Sequence, residues 1–145
     1  MPEINPNPKT ALITTTIHVP EVLQLYRECG ADVRFFVAGD KKTPPTAVEF
    51  IRGISNTSYL SPKEQEEWAC SEFIGWDCVQ RRNIATLEAL RWGADIIVTV
   101  DDDNIPLDTN YFDEIIARMA YPYSGPAAIA HDYWFDIGQL LRPPA

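Results

Sequence analysis

The run "DIIVTV" (95–100) constrains this chain more than any other stretch: it is β-branched, apolar on both faces, and closed abruptly by three aspartates. Apolarity on both faces is the mark of a strand covered by helices on either side, so it predicts a central strand of a parallel sheet. The rest of the chain supports the same architecture. "ALITTTI" (11–17) reads as a strand and "EVLQLYREC" (21–29) as a helix through Val22, Leu25 and Cys29, stopped by Gly30. "DVRFFVAGD" (32–40) is a second strand, "KKTPP" a proline-held loop, and 53–60 a loop with one short strand at "TSYL". Ser61, Pro62 and Glu64 mark the start of a helix expected to run to Phe73. A longer helix is expected from Asp77 through "DCVQRRNIATLEALRW" to Gly93, with Asn83, Leu87, Leu90 and Ala94 on its sheet-facing side and Ile84 beside it. After Pro106, Asp108 can cap "TNYFDEIIARMA", and "AAIAHDYWF" (127–135) reads as one more strand. Strands alternating with helices give an α/β class with a mainly parallel sheet between helix layers, in one domain over 1–145.

Composition narrows the function. With 145 residues, 46% hydrophobic, the chain suits one globular domain. Twenty-one acidic against 12 basic residues, a net charge of -9, exclude general affinity for nucleic acid or anionic membrane. No apolar run reaches the roughly 20 residues of a membrane helix, and "MPEINPNPKT" has no signal-peptide core, so a cytoplasmic chain is expected. Cys29, Cys70 and Cys78 form no CxxC pair, which points to reduced, partly buried thiols.

The aspartates need an explanation in so acidic a chain. Strand alternation would put Asp101 and Asp103 on one side, about 6 to 7 Å apart, and Asp102 on the other. A hard cation, Mn²⁺ or Mg²⁺, held by Asp101 and Asp103 at the carboxyl end of a strand would relieve the repulsion. Taken alone, "DDDN" reads rather as a solvated turn, with Asp102 or Asp103 bonding nearby backbone amides. An EF-hand is excluded, because Ile105 and Pro106 occupy positions that require an oxygen ligand and a glycine. The helix before the strand begins with Arg81, Arg82 and Asn83: two fork-shaped donors and an amide near a positive dipole end, suited to phosphate. Surface solubility is the competing reading of either arginine.

The set "TTT", "GDKKTP", "YLSPKEQ" and "QRRNIATLEALRWGADIIVTVDDDN" resembles the nucleotide-binding half of GT-A-fold glycosyltransferases over roughly residues 11–106. It is most like STELLO-type glycosyltransferase domains, and more distantly like reversibly glycosylated polypeptides. The resemblance implies a Rossmann-like GT-A domain and a metal-dependent transferase using a nucleoside-diphosphate sugar, of the UDP class, with a glycan or other hydroxyl compound as acceptor. It places Thr14, Thr15 and Thr16 along the nucleotide pocket, Asp40 on the base, Asp101 on the ribose or sugar, and Asp103 on the metal. Arg81 or Arg82 would steady the leaving phosphates, with Asn83 alongside, while Lys41 and Lys42 are either phosphate helpers or solvated. Asp102 belongs to the donor-binding set but, pointing away, should matter less to the metal than Asp103.

Family members have a further half for the acceptor, whereas this chain stops at "LRPPA", so it is either a C-terminally truncated fragment or a minimal donor-binding module. His131 is a candidate metal ligand weighed against a structural role; Asp132 stands beside it and Asp136 is a distant base candidate. Trp134 and Phe135 are core or acceptor-side surface. Two alternatives to the transferase remain: a non-catalytic nucleotide-sugar-binding module, and a Mg²⁺-dependent phosphatase with a DxD loop, disfavoured because Ile105 lacks the usual hydroxyl. Donor sugar, acceptor, stereochemical outcome and oligomeric state are not encoded in any motif found here.

Overall fold

A computed structural model of the protein describes residue 5 and residues 7–120. The expected strand 127–135, with His131, Asp132, Trp134, Phe135 and Asp136, lies outside the described residues. Four strands, β1 (Thr10–Thr16), β2 (Arg34–Gly39), β3 (Thr57–Leu60) and β4 (Ile96–Thr99), form one sheet in the order β3-β2-β1-β4. All pairings are parallel, with Leu12 beside Phe35 on one side and Val98 on the other. This is an α/β domain of Rossmann-like type: a parallel sheet with helices on both faces.

Alternation along the strands makes two cores. Leu12, Phe35, Val37, Ile96 and Val98 face α1 (Val22–Cys29), α2 (Pro45–Gly53) and α6 (Tyr111–Ala120), which contribute Leu23, Tyr26, Ile51 and Phe112. Ala11, Ile13, Phe36 and Ala38 face the other way, against Ala85 and Ala89 of α5 (Arg82–Trp92). Four alanines on that side let the helix lie close to the sheet.

Several expectations change. Strand β4 is an edge strand among the described residues, with Thr99 exposed, and the central strands are β1 and β2. An apolar strand can be buried by helices without lying in the middle of a sheet. Residues 45–53, which had no assigned element, form α2: Pro45 at its first turn needs no N–H partner there, so proline starts this helix. The expected helix from Ser61 to Phe73 is two single turns, α3 (Pro62–Gln65) and α4 (Ser71–Ile74). Ser61 does close a capping box with Glu64, whose carboxyl is held below its usual range by bonds from the Ser61 hydroxyl and amide. The helix expected from Asp77 starts instead as a 3-10 turn (Val79–Arg81), after Asp77 itself takes a left-handed φ of 58°. Gly93 ends α5 as expected, at φ 87°, where its N–H reaches back to the last carbonyls.

The buried side of α5 is only partly the one expected. Ile84, expected beside that side, is buried and Ala94 packs against the core, but Ala85 and Ala89 take the places of Asn83, which is exposed, and Leu90, which is 56% exposed. The seam follows the small residues because the close approach to Ala11 and Ala38 excludes leucine.

Candidate functional site at the carboxyl ends of the strands

The chain winds from β1 outward through β2 to β3, and then returns to place β4 on the opposite side of β1. The strand order therefore reverses between β1 and β4, the position where open α/β sheets hold ligands. Thr15 and Thr16 end β1 there, Asp40 follows β2, and Asp102 follows β4. With Ile17, Asp77, Cys78 and Val79 they line a cleft of about 170 Å³. A larger hollow of about 710 Å³, beside Lys9, Asp32, Trp92 and Phe112, lies at the amino ends of β1 and β2. Position in the topology, not size, makes the smaller cleft the candidate.

The aspartate segment is a turn, not a continued strand. The Asn104 amide donates to the Asp101 carbonyl, and Asn104 Oδ1 accepts from the Asp101 amide at 3.2 Å. Strand alternation therefore does not govern these side chains, and the expected pairing of Asp101 with Asp103 gives way. Asp101 turns to Arg82, whose Nη1 donates to it at 2.7 Å. Asp102 turns into the cleft, where Thr16 Oγ1 donates to its Oδ2 at 2.5 Å. Asp103 is exposed and shares a second hollow with Asp102 on the α1 side. Asp102, expected to point away, is the carboxylate common to both spaces.

Asp40 is 3% exposed, and both of its oxygens are engaged: Oδ1 accepts from the Lys42 amide at 3.1 Å and Oδ2 from the Asp77 amide at 2.8 Å. It pins the 75–79 segment over the cleft as well as lining it. Thr43 ties the two strand ends together, its hydroxyl donating to the Thr16 carbonyl at 2.6 Å while accepting from the Asp40 amide. Lys42 is paired with Asp77, and the Lys41 ammonium sits 4.8 Å from the Trp76 ring centre. Of the three threonines, Thr14 is fully buried and does not line the cleft; Thr15 donates to the Ala38 carbonyl at 2.7 Å.

Arg81 requires the clearest correction. It is 0% exposed, and all five donors of its guanidinium are used. Nε and Nη2 donate to Gln65 Oε1 at 3.0 and 2.5 Å. Nη1 donates to the carbonyls of Ser71 and Gly75, and Nη2 also to Ser71 Oγ. The plane stacks on Trp76 at 3.8 Å, and burial pulls its pKa below the usual arginine range. It organises α3, α4 and the cleft-covering segment, and has no donor left for phosphate. Arg82 is partly exposed and pairs with Asp101 of the aspartate turn; it is not among the residues that line the cleft.

Among the described residues no three His, Cys, Asp or Glu side chains cluster to form an all-protein metal cage. The hard oxygens of Asp102 and Asp103 instead suit a cation that takes one or two carboxylates and completes its shell with water and phosphate. Asp77, Cys78, Val79 and Ile17 were not anticipated, since nothing in their local sequence says that the 75–79 segment folds over the strand ends. The three cysteines are free and partly buried. No family model matches the chain, and no curated protein matches it.

Proposed function

We propose that the protein is a metal-dependent glycosyltransferase that takes its sugar from a nucleoside-diphosphate donor of the UDP class, within a GT-A-like domain. The observation that carries this reading is Asp102: a carboxylate at the strand-order reversal, facing the cleft and held there by Thr16. Arg82, paired with Asp101 of the same turn, is the nearby cation for a nucleotide's diphosphate laid beside the turn. The cleft accommodates only part of such a ligand, because small-molecule sites usually span roughly 300–1,000 Å³.

Asp102 and Asp103 would hold Mn²⁺ or Mg²⁺ in this reading, while Asp101 keeps Arg82 paired until a donor is present. A bound divalent cation supplies Lewis-acid stabilisation of the charge that builds on the leaving diphosphate. Arg82 adds a fork of donors to the same oxygens once it swings from Asp101, a movement that its partly exposed position permits. Thr16 keeps the Asp102 carboxylate oriented, and Asp40 keeps the 75–79 segment down so that the cleft stays narrow.

Calorimetric titration with UDP and UDP-sugars, with and without Mn²⁺, tests the reading. Binding should require Mn²⁺, and Asp102→Asn, which still accepts the Thr16 bond, should weaken it by at least the ~10-fold typical of losing even an outer-shell partner of a metal. Arg82→Ala should weaken it with little change in stability, since exposed ion pairs contribute about 0–1 kcal/mol. Equal binding without metal, or no nucleotide binding, overturns the proposal. Release of free sugar from the donor would favour the enzyme over a module that only binds.

A further inference from the structure

The connection from α3 through α4 borders a hollow of about 420 Å³ that shares no lining residue with the strand-end cleft. Trp68 and Trp76 give it aromatic walls, Glu66 and Glu72 bring carboxylates, and Ala69 and Ser71 complete it, so no basic side chain lines it. Phe73, next in sequence to Glu72, is 93% exposed. Glu66, Glu67 and Glu72 are exposed too, and among the described residues none of them pairs with a basic side chain. A phenylalanine left in water close to two tryptophans makes an aromatic patch of the kind that proteins use for contact.

Both indoles are held in place. Trp68 Nε1 donates to Glu88 Oε1 at 2.8 Å, and the Arg91 guanidinium lies 4.1 Å from the Trp68 ring centre while it pairs with the same Glu88 oxygen at 3.2 Å. Trp76 stacks on the buried Arg81 at 3.8 Å. In Arg91 the chain already satisfies a guanidinium with an indole and a glutamate, and the hollow offers the same two groups to an arginine from outside.

We infer that this hollow docks an arginine-bearing peptide segment of a partner protein, with an apolar residue of the same segment covering Phe73; the inference is independent of the glycosyl-transfer reading. The carboxylates select a cation, and a planar guanidinium can stack on indole while forking onto a carboxylate, which an ammonium cannot. A neutral glycan would gain the indoles but nothing from the charges. An acidic segment is repelled by this patch and by a chain of net charge -9. A small free cation would leave Phe73 in water, so a segment fits better than a metabolite.

The test is a chemical-shift titration of the full chain with a hexapeptide of alternating arginine and leucine. Lysine, glutamine or glutamate replaces arginine in three control peptides, and cellohexaose serves as the neutral glycan. The arginine peptide should shift the indole N–H signals of Trp68 and Trp76 and the amide of Phe73, and bind more tightly than every control. Its affinity should fall several-fold as salt rises from ~0.05 to ~0.5 M. The double variant Glu66→Gln with Glu72→Gln, and Phe73→Ala separately, should each weaken it about fivefold. All three side chains are exposed, so unchanged thermal unfolding is expected of both variants. Absence of binding, an equal response to any control peptide, the same shifts from cellohexaose, shifts confined to the aspartate turn, or unchanged affinity in either variant overturns the inference.

Discussion

Two adjacent arginines have opposite fates, and burial separates them. Arg81 is wholly enclosed and spends its donors on Gln65, Ser71 and Gly75, whereas Arg82, one position on, is partly exposed and pairs with Asp101. Both were legible as phosphate donors, because residue type and proximity to a helix start are all that a sequence offers. Which of two neighbours turns inward depends on α3 and α4 folding around it. Arg81→Leu should therefore lower stability by about 3 kcal/mol or more, since several buried acceptors would lose their donor. Urea unfolding checks this, and a variant that kept its stability but lost nucleotide affinity would return Arg81 to the binding site. The aspartates show the same limit. Their place at the end of an apolar run was plain, but their directions were assigned by strand geometry, and a turn closed by Asn104 reassigned them.

At the level of elements, β1, α1, β2 and the capped start of α3 follow from local signals: β-branched runs, Gly30, and the Ser61–Glu64 box. Hydrophobicity alone misplaces part of the buried face of α5. Leu90 looks like core and is exposed, while Ala85 and Ala89 look neutral and are buried against Ala11 and Ala38. Leu90→Ser should change stability by no more than about 0.5 kcal/mol. Ala89→Leu should cost about 1–3 kcal/mol through overpacking. Thermal or urea unfolding of the pair decides between the two faces, and the opposite order of costs would restore the original one. Before helix α2 two adjacent prolines read locally as a loop, although Pro45 sits where a helix tolerates it.

Across the whole molecule, β1 is paired on both sides and covered on both faces, whereas β3 and β4 are edge strands among the described residues. Native-state hydrogen exchange should accordingly be slowest at the amides of Leu12 and Ile13 and faster at Ile97. Comparable protection in β4 would mean that its outer edge is covered. The α/β class, the parallel sheet, the acidic balance and the aspartates at a strand end were all present in the residue pattern. Each depends on short-range periodicity, on charge, or on the end of an apolar run. Strand order, the closure of residues 75–79 over the cleft, the inward turn of Asp102 and the enclosure of Arg81 could not be read in advance. They arise from contacts between segments far apart in the chain, and their outcome depends on the space left by packing: alanines bring α5 close to the sheet, and three short elements enclose a guanidinium.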